Sequence, residues 1–116
     1  MIRTVLVPLD GSKAAEAVIP YVELIASRTG AAVHLLTVVH DRDGKAKAGE
    51  ALAYLDDRAA GLGSLSCSTG VKSGEEAQVI LAESDAGDAD LIAMSTLGRS
   101  GLMRWVLGSV ATKVLH

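Results

Sequence analysis

The stretch from Ile2 to Ser12, IRTVLVPLDGS, decides the fold class of this chain. Ile2 to Leu9 form a mainly apolar run, and Asp10-Gly11-Ser12 ends it with residues that favour turns. A short apolar run with such a boundary predicts a strand that is buried on both faces. We therefore expect a first strand here, followed by a helix that covers the sheet.

The residues after Ser12 repeat this alternation of helix and strand. Apolar residues recur at helical spacing between Lys13 and Thr29, with Ser12 as the expected N-cap, Gly30 as the C-terminal stop and a kink at Pro20. Further along, the pattern predicts strand two at 32–39, a helix at 48–62 and an edge strand of alternating polarity at 65–72. After these it predicts a helix that begins with a Ser73–Glu76 capping box, strand four at 91–94 and a last helix after Gly108-Ser109.

Strands that alternate with helices in this way indicate βαβ units. Right-handed crossovers then place helices on both faces of the sheet, which gives an α/β fold with three α/β/α layers and a doubly wound, mostly parallel sheet. With 116 residues, of which 49% are hydrophobic, the chain can enclose one core. We expect a single domain over residues 1–116.

The composition excludes several classes of function. The net charge is −3 at pH 7 and the 11 basic residues are scattered, so no nucleic-acid partner is expected. Cys67 is the only cysteine and the three histidines lack the spacing of a zinc site, so neither a disulfide framework nor a metal site is expected. Without a signal peptide or an apolar run of about 20 residues, the chain is expected to be soluble and cytoplasmic, with no membrane partner.

Ligands of doubly wound sheets bind beyond the carboxyl ends of the strands, so the loops at 8–12, 38–41 and 95–101 are the candidates for a site. The third loop is glycine-rich, and the helix start at Gly108-Ser109-Val110 adds unpaired N–H groups and a favourable dipole. This combination suits a phosphate group. The loops contain neither a P-loop nor the dinucleotide-binding glycine motif.

Each of these residues also has a purely structural explanation. Asp10 can cap the helix that follows it, and Gly98 and Gly101 can serve a left-handed turn. Arg99 and Arg104 are expected in solvent, although both are long enough to reach a triphosphate. Because no nucleophile and base can be paired within these loops, no catalytic residue is predicted.

In their order along the chain, these residues resemble the universal stress protein family. Pro8-Leu9-Asp10-Gly11-Ser12 is similar to the family's first-strand signature, and Gly98, nine further residues and Gly108-Ser109 are similar to the second half of its pattern G-x2-G-x9-G-[ST]. The resemblance spans nearly the whole chain. It implies a sheet of order 3-2-1-4-5, a homodimer and, in many members, ATP bound between strands one and four.

The resemblance gives each candidate position a role. Asp10, which follows Pro8 and Leu9, would contact the ribose, and Val38 would contact the adenine. Met94 and Ser95 would contact the base and the sugar. The phosphates, with or without a magnesium ion, would lie against the glycine-rich loop and the helix start after it, which contain Gly98, Arg99, Gly101, Gly108, Ser109 and Val110.

Two features depart from the family pattern. Ser95 stands where the pattern has its first glycine, and the sequence stops at His116, where the family continues into a fifth strand. We therefore expect the order 3-2-1-4 without a fifth strand, and a homodimer through strand four or the surface around Trp105. The leading hypothesis is an ATP-binding stress-response or signalling module. The alternatives are a weak ATPase that uses Asp10 or His40, and a nucleotide-free dimerisation domain.

Overall fold

A computed structural model of the chain describes residues 2–94 and the backbone of residues 104–107. The strands are β1 (Thr4–Pro8), β2 (Ala32–Val39), β3 (Cys67–Ser73), β4 (Leu91–Met94) and β5 (Arg104–Leu107). They form one sheet in the order β3-β2-β1-β4-β5, in which β1 is parallel to β2 and β4, β3 is parallel to β2, and β5 is antiparallel to β4. The predicted fold class and the parallel order 3-2-1-4 are confirmed.

Helices cover both faces of this sheet. They are α1 (Lys13–Glu16), α2 (Ile19–Thr29), α3 (Gly44–Ala60) and α4 (Glu76–Ala86), and a 3-10 turn at Asp41–Asp43 precedes α3.

Two apolar clusters hold these layers together, because successive strand residues point to opposite faces. One cluster joins β1, β2 and β4 to α1, α2 and α3, and its largest almost fully buried members are Val5, Val7, Val18, Val22, Val33, Leu35 and Leu55. The other cluster joins the same strands to α4, through Leu6, Leu36, Ile80, Ala89 and Ile92. The helices on the two faces make the predicted three layers.

The predicted helix over residues 13–29 is divided in two. Ser12 caps α1 as expected, because its hydroxyl accepts a 3.1 Å hydrogen bond from the Ala15 N–H. Gly30 ends α2 as expected, in the left-handed conformation at φ 74°. Between these ends the helix breaks, and Pro20 lies in the first turn of α2. Pro20 has no N–H to donate to the carbonyl of the residue four positions earlier, so the hydrogen bonds of α1 cannot continue through it. A new helix begins there instead of a single bent one.

The predicted Ser73–Glu76 capping box is wrong. Ser73 is the last residue of β3 and is paired with Val39 of β2, so it is not available as a cap. The chain turns at Gly74, whose φ is 140°, and Glu75 becomes the N-cap of α4. Its carboxylate accepts hydrogen bonds from the backbone N–H groups of the first turn, at 3.2 and 2.8 Å. The pairing of β3 with β2 therefore takes precedence over the local motif.

The expectation that the sheet ends at strand four also needs correction. Residues Arg104–Leu107 form β5, whose register places Leu91 opposite Leu107 and Met94 opposite Arg104. Backbone N–H and C=O groups along an apolar strand need partners, and this antiparallel segment supplies them from the same chain. Among the described residues, no helix has the length and apolar character needed to cross a membrane.

Candidate functional site

The carboxyl ends of β1, β2 and β4 meet at one edge of the sheet, next to the start of α1 and α4. A small cleft of about 60 Å³ lies between them. Its walls include all five described residues that the sequence predicted for nucleotide binding, namely Pro8, Leu9, Asp10, Val38 and Met94. The structure thus brings together residues that are up to 86 positions apart in the chain, because parallel strands end at the same edge.

The carboxylate of Asp10 is the charged group at the centre of this edge. Its Oδ1 accepts a 2.9 Å hydrogen bond from the Ser12 N–H. Hydrogen bonds from Ser12, through the hydroxyl first and the backbone N–H second, hold the pKa of Asp10 below its ordinary value. Since Ser12 is the cap of α1, the alternative in which Asp10 caps that helix is wrong. Asp10 is exposed and stays ionised at neutral pH, so it can accept hydrogen bonds from ligand hydroxyls.

Thr37 fixes the backbone that carries Asp10. Its Oγ1 donates a buried 2.9 Å hydrogen bond to the carbonyl oxygen of Leu9, and the Leu9 N–H donates to Leu36 O at 2.8 Å. Both bonds tie the loop after β1 to β2. Thr37 was not predicted as a site residue, although a threonine within a mostly apolar strand is a signal for such a role.

A second and larger cleft, of about 530 Å³, opens from the same edge toward α3. It shares the lining residues Asp10 and Val38 with the small cleft. The other residues that line it are Gly11, Thr37, Val39, His40, Asp43, Lys47, Glu50, Ala51 and Tyr54. The wall that α3 provides was not predicted from the sequence, because the predicted site lay only in the loops after the strands.

Tyr54 connects this wall to the helix after β1. Its hydroxyl donates a short hydrogen bond to Glu16 Oε2, and Arg58 Nη1 lies 3.5 Å from Glu16 Oε1. Burial, and then the bond to Glu16, raise the pKa of Tyr54 far above its ordinary value. Tyr54 is therefore a neutral donor at neutral pH, and its bond to Glu16 holds α3 against α1.

The charges around the large cleft are mainly negative. Asp10, Asp43 and Glu50 line it with a single ammonium group, that of Lys47. The carboxylate of Asp43 already has one hydrogen-bond partner, because its Oδ2 accepts a 2.9 Å hydrogen bond from the His40 N–H. Like charges repel, so this part of the edge is unfavourable for a triphosphate but suitable for groups that donate hydrogen bonds.

The remaining predicted site residues lie outside the described residues; they are Ser95, Gly98, Arg99, Gly101, Gly108, Ser109 and Val110. Within residues 2–94, no group of three or more His, Cys, Asp and Glu side chains is arranged to hold a metal ion.

Comparisons with known proteins agree with this architecture. The model of the universal stress protein family matches residues 1–116. Among curated proteins, none matches the chain significantly. The universal stress protein UspA from Lactobacillus plantarum has a similar structure, with a TM-score of 0.74 and 23% identity over 99% of this chain and 92% of that one.

Two further structures share the fold at low identity. A universal stress protein in complex with cAMP has a TM-score of 0.71 and 22% identity, over 85% of this chain and 76% of that one. A universal stress protein family member from Burkholderia pseudomallei has a TM-score of 0.67 and 20% identity, over 83% of each chain.

Proposed function

The chain belongs to the universal stress protein family, and from this premise we propose that it is a stress-response or signalling module that binds an adenine nucleotide, with ATP as the leading candidate. One observation carries the proposal. Five residues predicted from the sequence line a single cleft at the carboxyl ends of β1, β2 and β4. This is the edge at which open parallel sheets bind their ligands.

The charges favour one orientation of the nucleotide. The carboxylate of Asp10 suits the ribose hydroxyls, which donate hydrogen bonds to it. Val38 and Met94 offer apolar contact to a base from the two strands that flank β1. The triphosphate is directed away from Asp43 and Glu50 and toward the glycine-rich segment after β4. A magnesium ion, where present, would be bound to the phosphates.

A related structure makes the cyclic nucleotide a second candidate ligand. One universal stress protein of the same fold is a complex with cAMP. A cyclic phosphate occupies one ribose hydroxyl and leaves fewer donors for Asp10, so we expect ATP to depend on Asp10 more strongly than cAMP does. Ser95, which replaces the first glycine of the family pattern, is the feature that favours the nucleotide-free alternative.

The test is direct binding of nucleotides to the purified chain. We expect ATP to give a saturable heat of binding and a rise in melting temperature that GTP does not match. Asp10→Asn should weaken ATP binding about 10-fold or more, which corresponds to the loss of one charge-assisted hydrogen bond. Asp41→Asn, in the 3-10 turn and outside both clefts, is the control and should bind like the wild type. Equal responses to ATP and GTP, or no response to adenine nucleotides at all, would contradict the proposal.

We further propose that the chain acts in the cytoplasm as a homodimer, as the family resemblance implies. β5 ends the sheet of the described residues, so its outer backbone groups are suited to contact a second copy. Light scattering at micromolar concentration should give twice the chain mass, and a monodisperse monomer would refute the dimer.

A further inference from the structure

The imidazole of His34 lies between a serine and a carboxylate at the opposite end of the sheet. Its Nδ1 is 2.7 Å from the Oγ of Ser68 on β3, and its Nε2 is 3.6 Å from Oε2 of Glu83 on α4. About three quarters of the His34 and Glu83 side chains are shielded from solvent, whereas Ser68 is exposed. A hydroxyl, an imidazole and a carboxylate placed in this spatial order match the arrangement that activates a weak nucleophile.

The register of the sheet builds this arrangement. His34 and Ser68 are direct partners in the pairing of β2 with β3, so their side chains leave the same face side by side. The next residue on that face of β3 is Gly70, and a Cβ there would come within 3.3 Å of Cε1 and Nε2 of His34. The imidazole therefore lies over the glycine, which leaves it room to reach both Ser68 and Glu83.

Lys72 also lies near the cluster. Its Nζ lies 3.9 Å from Oε1 of Glu83, while His34 faces the other carboxylate oxygen. Both of these contacts are longer than a hydrogen bond, so Glu83 attracts the imidazole without fixing a proton between them. With an N–H on Nε2 facing Glu83, the lone pair of Nδ1 is left to accept the proton of Ser68.

A cleft of about 380 Å³ lies beside the cluster. Besides the three residues of the cluster, it is lined by small and apolar groups, namely Thr4, Leu6, Ala86, Gly87 and Ala89. None of its residues lines either cleft at the carboxyl ends of the strands. It is therefore a separate site, with space for a short acyl group next to the Ser68 hydroxyl.

We propose that Ser68 is an activated nucleophile that takes an acyl group from small carboxylic esters. The Ser68 oxygen attacks the ester carbonyl while its proton passes to Nδ1 of His34. The carbon–oxygen bond to the alcohol then breaks, and the alcohol leaves with the proton that His34 returns. Water then gives a proton to His34 and attacks the carbonyl of the acyl-serine. The carbon–oxygen bond to Ser68 breaks, the acid is released, and the Ser68 oxygen takes the proton back from His34. Glu83, whose Oε2 lies 3.6 Å from Nε2, acts as a positioning residue that orients the imidazole.

The reaction should be slow. The side chains of the cluster supply a nucleophile and a base but no pair of N–H donors for the oxyanion. Removal of one such donor from an efficient enzyme slows it about 10²–10³-fold. Acylation is therefore best observed as a single event on the protein rather than as steady turnover.

The experiment uses the whole chain with p-nitrophenyl acetate and, separately, with a fluorophosphonate probe, and locates the modified residue by peptide mass spectrometry. We expect modification at Ser68 with release of one p-nitrophenolate per chain. His34→Gln should slow it by about 10²-fold, the usual contribution of a general base. Ser66→Ala removes another exposed serine just before β3 and should leave the rate unchanged.

The role of Glu83 is tested in the same assay. Glu83→Gln should lower the rate constant of acylation while the ester concentration at half-maximal rate stays constant, since Glu83 orients His34 and does not hold the acyl group. Far-UV circular dichroism confirms that each variant is folded. Modification that persists in Ser68→Ala, that falls equally on other exposed serines, or that is unaffected by His34→Gln would overturn the proposal.

Discussion

The hydroxyl of Thr37 donates a 2.9 Å hydrogen bond to the carbonyl oxygen of Leu9 in the interior of the protein. The bond joins β2 to the residue that immediately precedes Asp10. A carbonyl at the end of β1 would otherwise be buried with an incomplete set of partners, and only the bond from the Leu9 N–H to Leu36 O would still tie the loop that carries Asp10 to β2. The geometry of the proposed ribose site therefore depends on a residue that is not itself expected to contact the ligand.

We expect Thr37→Val to lower the free energy of unfolding by about 1–2 kcal/mol, because the shape is kept while a buried hydrogen bond is lost. Nucleotide affinity should fall as well, since Asp10 is less firmly placed. Urea unfolding and calorimetric titration measure the two effects. The control is Thr69→Val, whose hydroxyl donates to Asp56 at the exposed surface and should cost less. Equal losses of unfolding free energy in the two variants would show that the buried Thr37–Leu9 bond contributes no more to stability than the exposed one.

ATP bound at the proposed site should not be hydrolysed with help from Asp10. A general base works best when its pKa is near the working pH, and hydrogen bonds from Ser12 hold the pKa of Asp10 below its ordinary value. Phosphate release, measured with ATP saturating both proteins, should therefore be the same in the wild type and in Asp10→Ala. A steady release that disappears in Asp10→Ala but persists in Asp41→Ala would support the weak-ATPase alternative.

The sheet could be predicted because it follows from local patterns. Apolar runs bounded by turn residues mark β1, β2 and β4, and the rule for parallel sheets places the carboxyl ends of these strands at one edge. The resemblance to the family was needed to select Asp10, Val38 and Met94 at those ends.

The parts that the sequence did not predict depend on partners far away in the chain. Tyr54 and Glu16 are 38 positions apart, and no periodic pattern in the sequence predicts the hydrogen bond between them. β5 has only four residues, too few for a period of two to be distinctive, and its register is set by β4. At Ser73 a local capping motif was present, but pairing with Val39 kept the residue in β3. Tertiary pairing decided each of these cases.

Ser84 gives a prediction about the α4 layer. Its side chain is fully buried, and its hydroxyl has no hydrogen-bond partner among the described residues. A buried hydroxyl without a partner costs free energy, so Ser84→Ala should leave stability unchanged or raise it by about 1 kcal/mol. Thermal unfolding measures the change. Ser27→Ala, on the exposed side of α2, serves as the comparison. A loss of more than about 1 kcal/mol in Ser84→Ala would indicate that the hydroxyl is satisfied.

Asp90 gives a prediction about acid stability. Its Oδ2 accepts hydrogen bonds from the backbone N–H groups of Arg3 and Thr4, at 2.8 and 3.1 Å, and so joins the start of β1 to the start of β4. The bond from Arg3, and then that from Thr4, hold the pKa of Asp90 below its ordinary value of 3.8. Because the folded pKa is the lower one, the contribution of Asp90 to stability is fully present above about pH 3.8 and is lost as the pH falls through the folded pKa.

Asp90→Asn should therefore unfold at a lower urea concentration than the wild type at neutral pH, and the difference should shrink in strong acid as the wild-type carboxylate takes up a proton. Urea midpoints measured from pH 7 downward test this directly. Asp88→Asn is the matched control, because Asp88 has a φ of 51° that asparagine adopts readily, and its midpoints should follow the wild type at every pH. A difference for Asp90→Asn that does not change with pH would mean that the residue contributes through its shape and not through its charge.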